Sequence, residues 1–554
     1  MRAMTARSPG PQLPGNLTGL VVAVVLMVLA GNAYFGYAAD DVFISYRYAH
    51  HFAEGKGLVW NPGEKLESYS NFLWVVILAG FDLAGLDIVL SSMILSILSG
   101  IAMLIAVYRL AGEVSDSGFA SHLPVVRAAR KRPLRPALWI APIFLAFNQD
   151  VLFWNPSGME TIFFAFLVVM AAYRYLVEVR DPARFPLSSV LFLLVALTRP
   201  EGIVYFVATV AFDFLYQRHM RWRAVCLLLI PFCIYEVWRV MYFGDFLPSP
   251  YYAKIGGDQR FALGAQYLGV YIFKYLPAFA VLSLLVLFPP RDPGRAFYLF
   301  WLMLAGMGAA LWMDGDWMGN CRLVIPVSAL LGVLLVPAVS GLLAAGWAAD
   351  RRASWVVLFL GSLVIYQATG VTGTDLMRIL TLTRLPMSGC LEGEMTLAMK
   401  DAGLWIRHHS KPDDLIAVNH AGALPYYADR PTIDMTGLCD RHISRLAGGL
   451  HKKYDPDYVL SRDPRYVVLN TSTQPVDGSY GRDYWIGENA LYDHPLFLKR
   501  YRPLPQYWRW RWDAVKSHVI YTMVFERVSP SPSPENPITM TPLLAPCEQA
   551  LRRG

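Results

Sequence analysis

The sequence predicts a polytopic α-helical membrane protein, and three observations lead to this prediction. Of the 554 residues, 55% are hydrophobic and only 16% are charged, whereas soluble domains carry roughly a quarter charged residues. Apolar runs of the length needed to cross a bilayer, about 20 residues, recur along the first two thirds of the chain. The net charge of +7 is unevenly distributed over the connecting loops. A disordered chain and a small disulfide-rich domain are excluded.

Eleven apolar runs are candidate transmembrane helices, and all of them precede residue 371. The first contains no charged residue. It exceeds the roughly 7–15-residue core of a signal peptide, so cleavage is only the alternative interpretation. One run is short and three carry polar interruptions, which leaves the number open by one or two. The runs are 17–39, 88–111, 137–153, 161–177, 186–197, 203–216, 224–243, 267–287, 296–313, 323–347 and 355–370.

Loop charge predicts that the N-terminus is cytoplasmic. Lys and Arg are retained on the inner side of the membrane. With the N-terminus inside, the inner segments hold 16 Lys or Arg against 6 acids, and this excess of +10 is larger than the whole net charge. The opposite orientation would translocate the basic cluster in residues 127–135. Because the inner loops account for the basic excess, we expect no nucleic-acid partner.

The composition changes after residue 370, so we divide the chain into a transmembrane domain, 1–370, with a first outer loop at 40–87, and a soluble domain, 371–554. An odd number of spans makes the second domain extracytoplasmic. Its short β-like runs alternate with helical segments, which is typical of an α/β or α+β domain. The β-like runs are 415–418, 432–435, 466–469 and 519–525, and the helical segments are 395–408 and 441–450.

Ionisable residues gather at the predicted outer ends of the helices. Burying an ionisable group at membrane depth costs free energy, so each such residue is by default a candidate functional residue. A carboxylate from Asp40 or Asp41 can serve as general base toward an acceptor hydroxyl, and a cation such as Lys254 can hold a lipid-linked phosphate. Structural interpretations stand beside these. The two acids can be a solvated pair, and Lys254 can extend toward lipid headgroups.

The first outer loop has the most specific pattern in the chain. It reads Asp40-Asp41-Val-Phe-Ile-Ser-Tyr-Arg47, then Trp60-Asn61-Pro-Gly-Glu64, then Asn71-Phe-Leu-Trp74. Further distinctive segments are 197–202, 248–254, 315–322 and 434–440. Together these segments resemble the bacterial GT-C glycosyltransferases. Within that fold they are most similar to the terminal β-(1→2) arabinofuranosyltransferases of mycobacteria and their bacterial relatives.

The resemblance implies a GT-C enzyme of the bacterial cytoplasmic membrane with its active site on the extracytoplasmic face. It implies two juxtamembrane helices, at 43–54 and 71–81, a polyprenyl-phosphate sugar donor and a glycan, lipid or protein acceptor. The aromatic residues of the first loop differ from the mycobacterial pattern, so D-arabinofuranose is one candidate sugar among others. The implied site residues are Asp40 or Asp41 as catalytic carboxylate; Arg47, Arg199, Glu201, Tyr252, Lys254, Asp316 and Arg322 for the donor; and Asn61, Glu64, Trp74, Asp434, Asp440 and His442 for the acceptor or a domain interface.

Two other function classes stay open. A lipid-linked sugar transporter or flippase would need ionisable residues on broken helices near the bilayer midplane, for which Asp213 and Glu236 are the candidates. A noncatalytic membrane protein that binds glycans would explain the soluble domain but not the first outer loop. Metal use is also undecided. Asp314 and Asp316 with an oxygen of Asp40 or Asp41 would form a hard site for Mg²⁺ or Mn²⁺, and an enzyme without a metal is the alternative.

Overall fold

The structure, a computed structural model, divides the chain into two compact units. It describes residues 17–31, 34, 38–115, 138–254, 261–286, 290, 292–316, 318–349, 391–449, 451–482, 485–511, 518–528 and 541–543. The first unit, called here the helical unit, comprises Met1–Phe35, Ser92–Glu236 and Gln259–Arg384. The second, the sheet unit, comprises Gly36–Ser91, Val237–Asp258 and Leu385–Gly554. The first outer loop therefore belongs to the same unit as the C-terminal residues.

Five helices among the described residues are long and apolar enough to cross a membrane. They coincide with predicted runs, and the last of them is almost entirely buried. Shorter apolar helices are Leu17–Gly31, Phe72–Leu83 and Leu187–Thr198. The five are Ile88–Ser115, Thr161–Arg180, Trp222–Phe243, Pro293–Trp312 and Arg322–Gly341. The predicted run at 355–370 lies outside the described residues.

Two predicted spans are broken helices. The run at 137–153 forms Ile140–Ala146 and Gln149–Trp154, because the Asn148 side chain accepts a hydrogen bond from the Val151 N–H at 3.1 Å and begins the second helix.

The run at 267–287 forms Ala262–Lys274 and Leu276–Val286, which are bent by 73°. A proline follows the break at the start of the second helix, where it lacks the N–H that would continue the first. The run at 203–216 is α-helical over Ile203–Phe212 and continues as a π-helix over Asp213–Gln217.

The sheet unit is built on a six-stranded mixed sheet. The strands are β1 Ile416–Val418, β2 Thr432–Asp434, β3 Tyr466–Thr471, β4 Tyr501–Arg511, β5 Val519–Arg527 and β6 Thr541–Leu543. Their order is β2-β1-β3-β5-β4-β6. β1 pairs in parallel with β2 and β3, β5 is antiparallel to β3 and β4, and β6 is parallel to β4. β1, β2, β3 and β5 lie at the four predicted β-like runs.

Two helices of the first outer loop pack within the sheet unit. Val42–Ala53 and Phe72–Leu83 lie where the resemblance implied juxtamembrane helices. Phe43 extends from the first of them toward Tyr426 and Tyr427, with ring centroids 5.5 Å apart in both pairs. The predicted helix at 441–450 is only one turn long. The other helices of this unit are Ser249–Lys254, Leu391–His409, Ala423–Ala428, Arg441–Ser444, Pro456–Ser461, Ile486–Tyr492 and Phe497–Arg500.

Candidate functional site

Asp40 is held by the C-terminal part of the sheet unit. Its side chain is buried, and its Oδ1 accepts a hydrogen bond from the Ala423 N–H at 2.8 Å. The preceding residue is Gly422, where an added Cβ would lie 2.0 Å from the Asp40 carbonyl oxygen. Only glycine fits at that distance, so the local sequence Gly422-Ala423 is what allows the two segments to meet.

Asp41 is more exposed than Asp40 and begins the Val42–Ala53 helix. Its side chain accepts no capping hydrogen bond from that helix. It lies within electrostatic reach of His451, as does Lys254. Crowding by protein atoms lowers the pKa of His451, Asp41 raises it, Lys254 lowers it, and the net shift is downward. Asp41 and Lys254, two residues of the predicted site, thus both act electrostatically on His451, a histidine that the sequence did not single out.

His420 is a second histidine near this place. Its Nε2 is buried and has no hydrogen-bond partner among the described residues. Its ring contacts the Trp510 ring edge to face, with centroids 5.9 Å apart. Burial, together with a smaller effect of His451, lowers the pKa of His420 to about 4, so the imidazole is neutral at pH 7.

Arg47 has a different position from the one expected for a phosphate ligand. Its guanidinium is buried and donates to the carbonyl of Trp60 at 2.7 Å, to that of Arg430 at 2.6 Å, and to that of Pro425. Burial lowers its pKa to about 10, which leaves it protonated at pH 7. Because the guanidinium donates to main-chain carbonyls of both segments, Arg47 joins the first outer loop to residues 425–430.

Asn61 pairs with the edge strand β2. Its Nδ2 donates to the Thr432 carbonyl at 2.8 Å, and its Oδ1 accepts from the Thr432 N–H at 3.0 Å. This amide replaces the strand partner that an edge strand lacks. Glu64 accepts a hydrogen bond from Asn61 at 3.1 Å and is exposed, with Arg462 3.8 Å away. The Asn61 amide thus joins the first outer loop to β2.

The three predicted residues at 434–442 make local contacts. Both carboxylate oxygens of Asp434 accept main-chain N–H bonds, from Thr436 at 2.9 Å and Cys439 at 2.7 Å. Burial raises the pKa of Asp434 to about 6. Asp440 caps the Arg441–Ser444 helix by accepting from the Ile443 N–H at 3.0 Å. These contacts stabilise the turn after β2.

The other predicted residues of the sheet unit also have protein partners. The ring of His442 stacks on Tyr458 with centroids 4.2 Å apart, and its Nε2 lies 2.8 Å from Asp455. Trp74 is fully buried. The Arg445 guanidinium lies 3.3 Å from the centroid of the Tyr252 ring, a cation–π contact.

In the helical unit, four predicted residues converge. Arg199 donates to Glu160 at 2.7 Å and also pairs with Glu201. Asp316 pairs with Arg322 and lies within electrostatic reach of Arg199. Arg199 and Glu201 thus form an ion pair at a helix end. Each buried guanidinium is neutralised by at least one carboxylate, as buried charges must be.

A buried polar cluster at the two helix breaks was not predicted. Asp150 is fully buried and pairs with Lys274, and its Oδ2 accepts from the Tyr275 hydroxyl at 2.7 Å. The same hydroxyl lies 3.0 Å from Asn148. Isolated polar residues within apolar runs gave no pattern from which this cluster could be found.

The predicted metal ligands have other partners. The Asp314 carboxylate accepts a hydrogen bond from the Phe261 N–H at 2.9 Å, and Asp316 pairs with Arg322. In the part of the chain that the structure describes, no group of three or more His, Cys, Asp or Glu side chains is placed to hold a metal ion.

A domain family matches part of the chain. Residues 391–521 match a domain of unknown function, DUF8728, which covers β1 to β4 and the helices between them. No curated protein sequence matches the chain.

Solved membrane proteins share the fold. An oligosaccharyltransferase AglB from Archaeoglobus fulgidus, tethered to an acceptor peptide, superposes with a TM-score of 0.52 at 13% identity, covering 90% of this chain and 80% of AglB. The arabinofuranosyltransferase AftD from Mycobacteria has a TM-score of 0.50 at 14% identity, covering 95% of this chain and 40% of AftD. ArnT from Cupriavidus metallidurans bound to undecaprenyl phosphate has a TM-score of 0.48 at 13% identity, covering 82% of this chain and 92% of ArnT. The chain has the GT-C fold of a polytopic helical membrane protein.

Proposed function

We propose that this protein is a membrane glycosyltransferase that moves a sugar from a polyprenyl phosphate to an extracytoplasmic glycan, lipid or protein acceptor. The observation that carries the proposal is the pair Asp40 and Asp41. The first is anchored to Ala423, and the second is more exposed. The GT-C fold supports the enzyme class, because AglB is an oligosaccharyltransferase and AftD is an arabinofuranosyltransferase.

In this proposal Asp41 is the general base and Asp40 is a positioning residue. Asp41 takes the proton of the acceptor hydroxyl while that oxygen attacks the anomeric carbon of the donor sugar. The bond from the anomeric carbon to the phosphate oxygen breaks, and the polyprenyl phosphate leaves with the electron pair. The fixed Asp40 carboxylate orients the chain at Asp41, since correct orientation of a base contributes much of its rate effect.

Lys254 is the proposed contact for the donor phosphate. It is exposed and lies within electrostatic reach of His451, which Asp41 also reaches. A cation near the base neutralises charge that develops on the leaving phosphate. Arg199, Arg322, Glu201 and Asp316 are proposed to shape the helical unit through their ion pairs.

D-arabinofuranose is the sugar that we propose to test first. The first outer loop resembles that of arabinofuranosyltransferases, and AftD has the same fold. The acceptor is proposed to lie outside the cytoplasm, because the inner-loop excess of +10 orients the N-terminus inward. We propose that the protein lies in the bacterial cytoplasmic membrane with its active site on the extracytoplasmic face.

A divalent cation is a separate proposal. Mg²⁺ is often held by one or two carboxylates together with substrate phosphates, so Asp40 or Asp41 with the donor phosphate would suffice. Transfer that stops with EDTA and returns with Mg²⁺ or Mn²⁺ would support a cation. Transfer that is unchanged by EDTA would reject it.

The experiment is a transfer assay with the purified full chain in nanodiscs. A radiolabelled short-chain polyprenyl-phosphoryl D-arabinofuranose is incubated with an octyl arabinofuranoside acceptor, and donors carrying other pentoses or hexoses are assayed in parallel. Labelled octyl glycoside from any donor supports the glycosyltransferase, and the best donor identifies the sugar. The absence of product from every donor and acceptor pair would reject transfer.

Transport of a lipid-linked sugar is the second candidate function. The observation that favours it is the buried Asp150–Lys274 pair at the breaks of two helices, since transporters bind substrates at broken helices. Sealed vesicles that contain the protein and no acceptor test it. Movement of the labelled lipid across the bilayer, lost in Asp150→Asn, would favour transport.

A further inference from the structure

A histidine in the sheet unit carries an unused hydrogen-bonding group. His420 follows β1, and its Nε2 is buried without a partner among the described residues. An unsatisfied buried polar atom lowers stability, and in a native protein it calls for an explanation such as a ligand. The residue as a whole is only half-buried.

The position of His420 relates it to the proposed base. His420 precedes Gly422 by two residues, and Gly422 lies against the main chain of Asp40. The Asp40 side chain is held by the next N–H, that of Ala423. One short turn therefore carries both the anchor of the carboxylate pair and the unpartnered imidazole.

His451 extends the same cluster. It lies within electrostatic reach of His420, Asp41 and Lys254. Its backbone has φ +63°, a left-handed conformation that a residue with a side chain rarely adopts. Such strained residues concentrate at functional sites. His451 is thus linked electrostatically to His420, to the Asp41 carboxylate and to the Lys254 ammonium within the sheet unit.

We propose that His420 contacts substrate, with its imidazole forming a hydrogen bond to a sugar hydroxyl bound beside Asp41. This inference rests on the glycosyl transfer proposed above and adds a residue to that site. A neutral imidazole offers one donor and one acceptor, which matches a hydroxyl. Because the ring is uncharged, it binds an anionic phosphate less well than it binds a hydroxyl. Lys254 remains the proposed contact for the phosphate. The hydroxyl belongs to the donor sugar or to the acceptor glycan.

The test compares His420→Phe and His420→Gln with the wild-type full chain in nanodiscs. Phenylalanine keeps a ring beside Trp510 and removes the nitrogens, whereas the glutamine amide keeps a donor and an acceptor. The matched control is His408→Ala, which changes an exposed histidine on the Leu391–His409 helix. The probes are the short-chain polyprenyl-phosphoryl D-arabinofuranose and the octyl arabinofuranoside.

We expect His420→Phe to raise the KM for one probe by roughly 3- to 10-fold, the range of one hydrogen bond, with kcat within about twofold. A raised KM for the lipid probe assigns the hydroxyl to the donor, and a raised KM for the octyl glycoside assigns it to the acceptor. His420→Gln should recover most of the loss, and His408→Ala should match the wild type. The thermal midpoint of His420→Phe should equal or exceed that of the wild type, because an unpaired buried nitrogen has been removed.

Unchanged KM values in His420→Phe would overturn the inference. A lower thermal midpoint in that variant would overturn it as well, because the nitrogens would then support the fold. If the wild type transfers no sugar, binding of both probes is measured by saturation-transfer NMR. Binding that depends on His420 would uphold the hydroxyl contact while the proposed transfer fails. Binding that is absent, or equal in His420→Phe, would reject the contact.

Discussion

The Asp40 carboxylate accepts a 2.8 Å hydrogen bond from the Ala423 N–H, although 383 positions separate the two residues in the sequence. The first outer loop is thus oriented by a turn of the C-terminal region within one compact unit. Changes in that turn should therefore act on the carboxylate pair as directly as changes in the loop itself.

Gly422→Ala is predicted to reduce both stability and sugar transfer. The added Cβ would lie 2.0 Å from the Asp40 carbonyl oxygen, and relieving such an overlap costs about 1–3 kcal/mol. Thermal unfolding and the transfer assay measure the two effects. Gly80→Ala is the control, because an added Cβ there meets nothing within 4 Å and alanine favours a helix. Equal thermal midpoints for Gly422→Ala and the wild type would contradict the close approach.

Arg47→Met is predicted to destabilise the sheet unit by about 3 kcal/mol or more. The buried carbonyls of Trp60, Pro425 and Arg430 would lose their donor, and each unsatisfied group costs about 1–3 kcal/mol. Arg482→Met removes an exposed ion pair with Asp493 and should leave the thermal midpoint unchanged. A folded Arg47→Met variant that loses only donor affinity would restore the phosphate role predicted from the sequence.

Arg199→Met is predicted to destabilise the helical unit by about 3–5 kcal/mol, because Glu160 and Glu201 would lose the guanidinium that neutralises them. Urea or thermal unfolding in detergent checks this value. The exposed Arg184, paired with Asp181, provides the control Arg184→Met, which should behave like the wild type. If Arg199→Met unfolds like its control, the ion pairs contribute little and ligand binding becomes the better explanation of this residue.

The lowered pKa of His420 predicts that the protein loses stability in acid. Burial lowers its pKa from 6.5 to about 4, so between these two values the unfolded chain binds the proton and the folded chain does not. The free energy of unfolding therefore falls as the pH drops from about 6.5 to 4, and at pH 5 the loss is about 1–2 kcal/mol. Thermal midpoints at pH 7 and pH 5 should differ less in His420→Phe than in the wild type. An equal difference would show that His420 is not buried in this way.

Local sequence patterns and the family resemblance together predicted much of the fold. The first-loop helices Val42–Ala53 and Phe72–Leu83 lie within two residues of the ranges that the resemblance implied, and β1, β2, β3 and β5 lie at runs predicted from the sequence pattern. Apolar composition also located the long helices. It missed the breaks near Asn148 and Tyr275, because hydrophobic residues continue on both sides of each break and the single residue that causes it, Asn148 in one run and a proline in the other, stands alone.

The candidate site was only partly predictable for a related reason. Asp40, Asp41 and Lys254 belong to segments with recognisable patterns. The resemblance could not distinguish a ligand contact from a structural contact, however. The Arg47 guanidinium donates to the main-chain carbonyls of Trp60 and Arg430, which are structural contacts. His420, Gly422 and the Asp150–Lys274 pair depend on contacts between distant parts of the chain. Single residues of these types carry no signal in one sequence.

The transfer rate of Asp41→Asn relative to that of Asp40→Asn shows whether Asp41 is the general base and Asp40 the residue that orients it. Both amides are close in size to the carboxylates, and the amide oxygen in Asp40→Asn can still accept the Ala423 N–H bond, so both variants should fold with wild-type thermal midpoints. If Asp41 is the base, Asp41→Asn should lose about 10²–10⁴-fold in kcat, whereas Asp40→Asn should lose much less. If folded Asp41→Asn protein transfers sugar at the wild-type rate, Asp41 is not the general base.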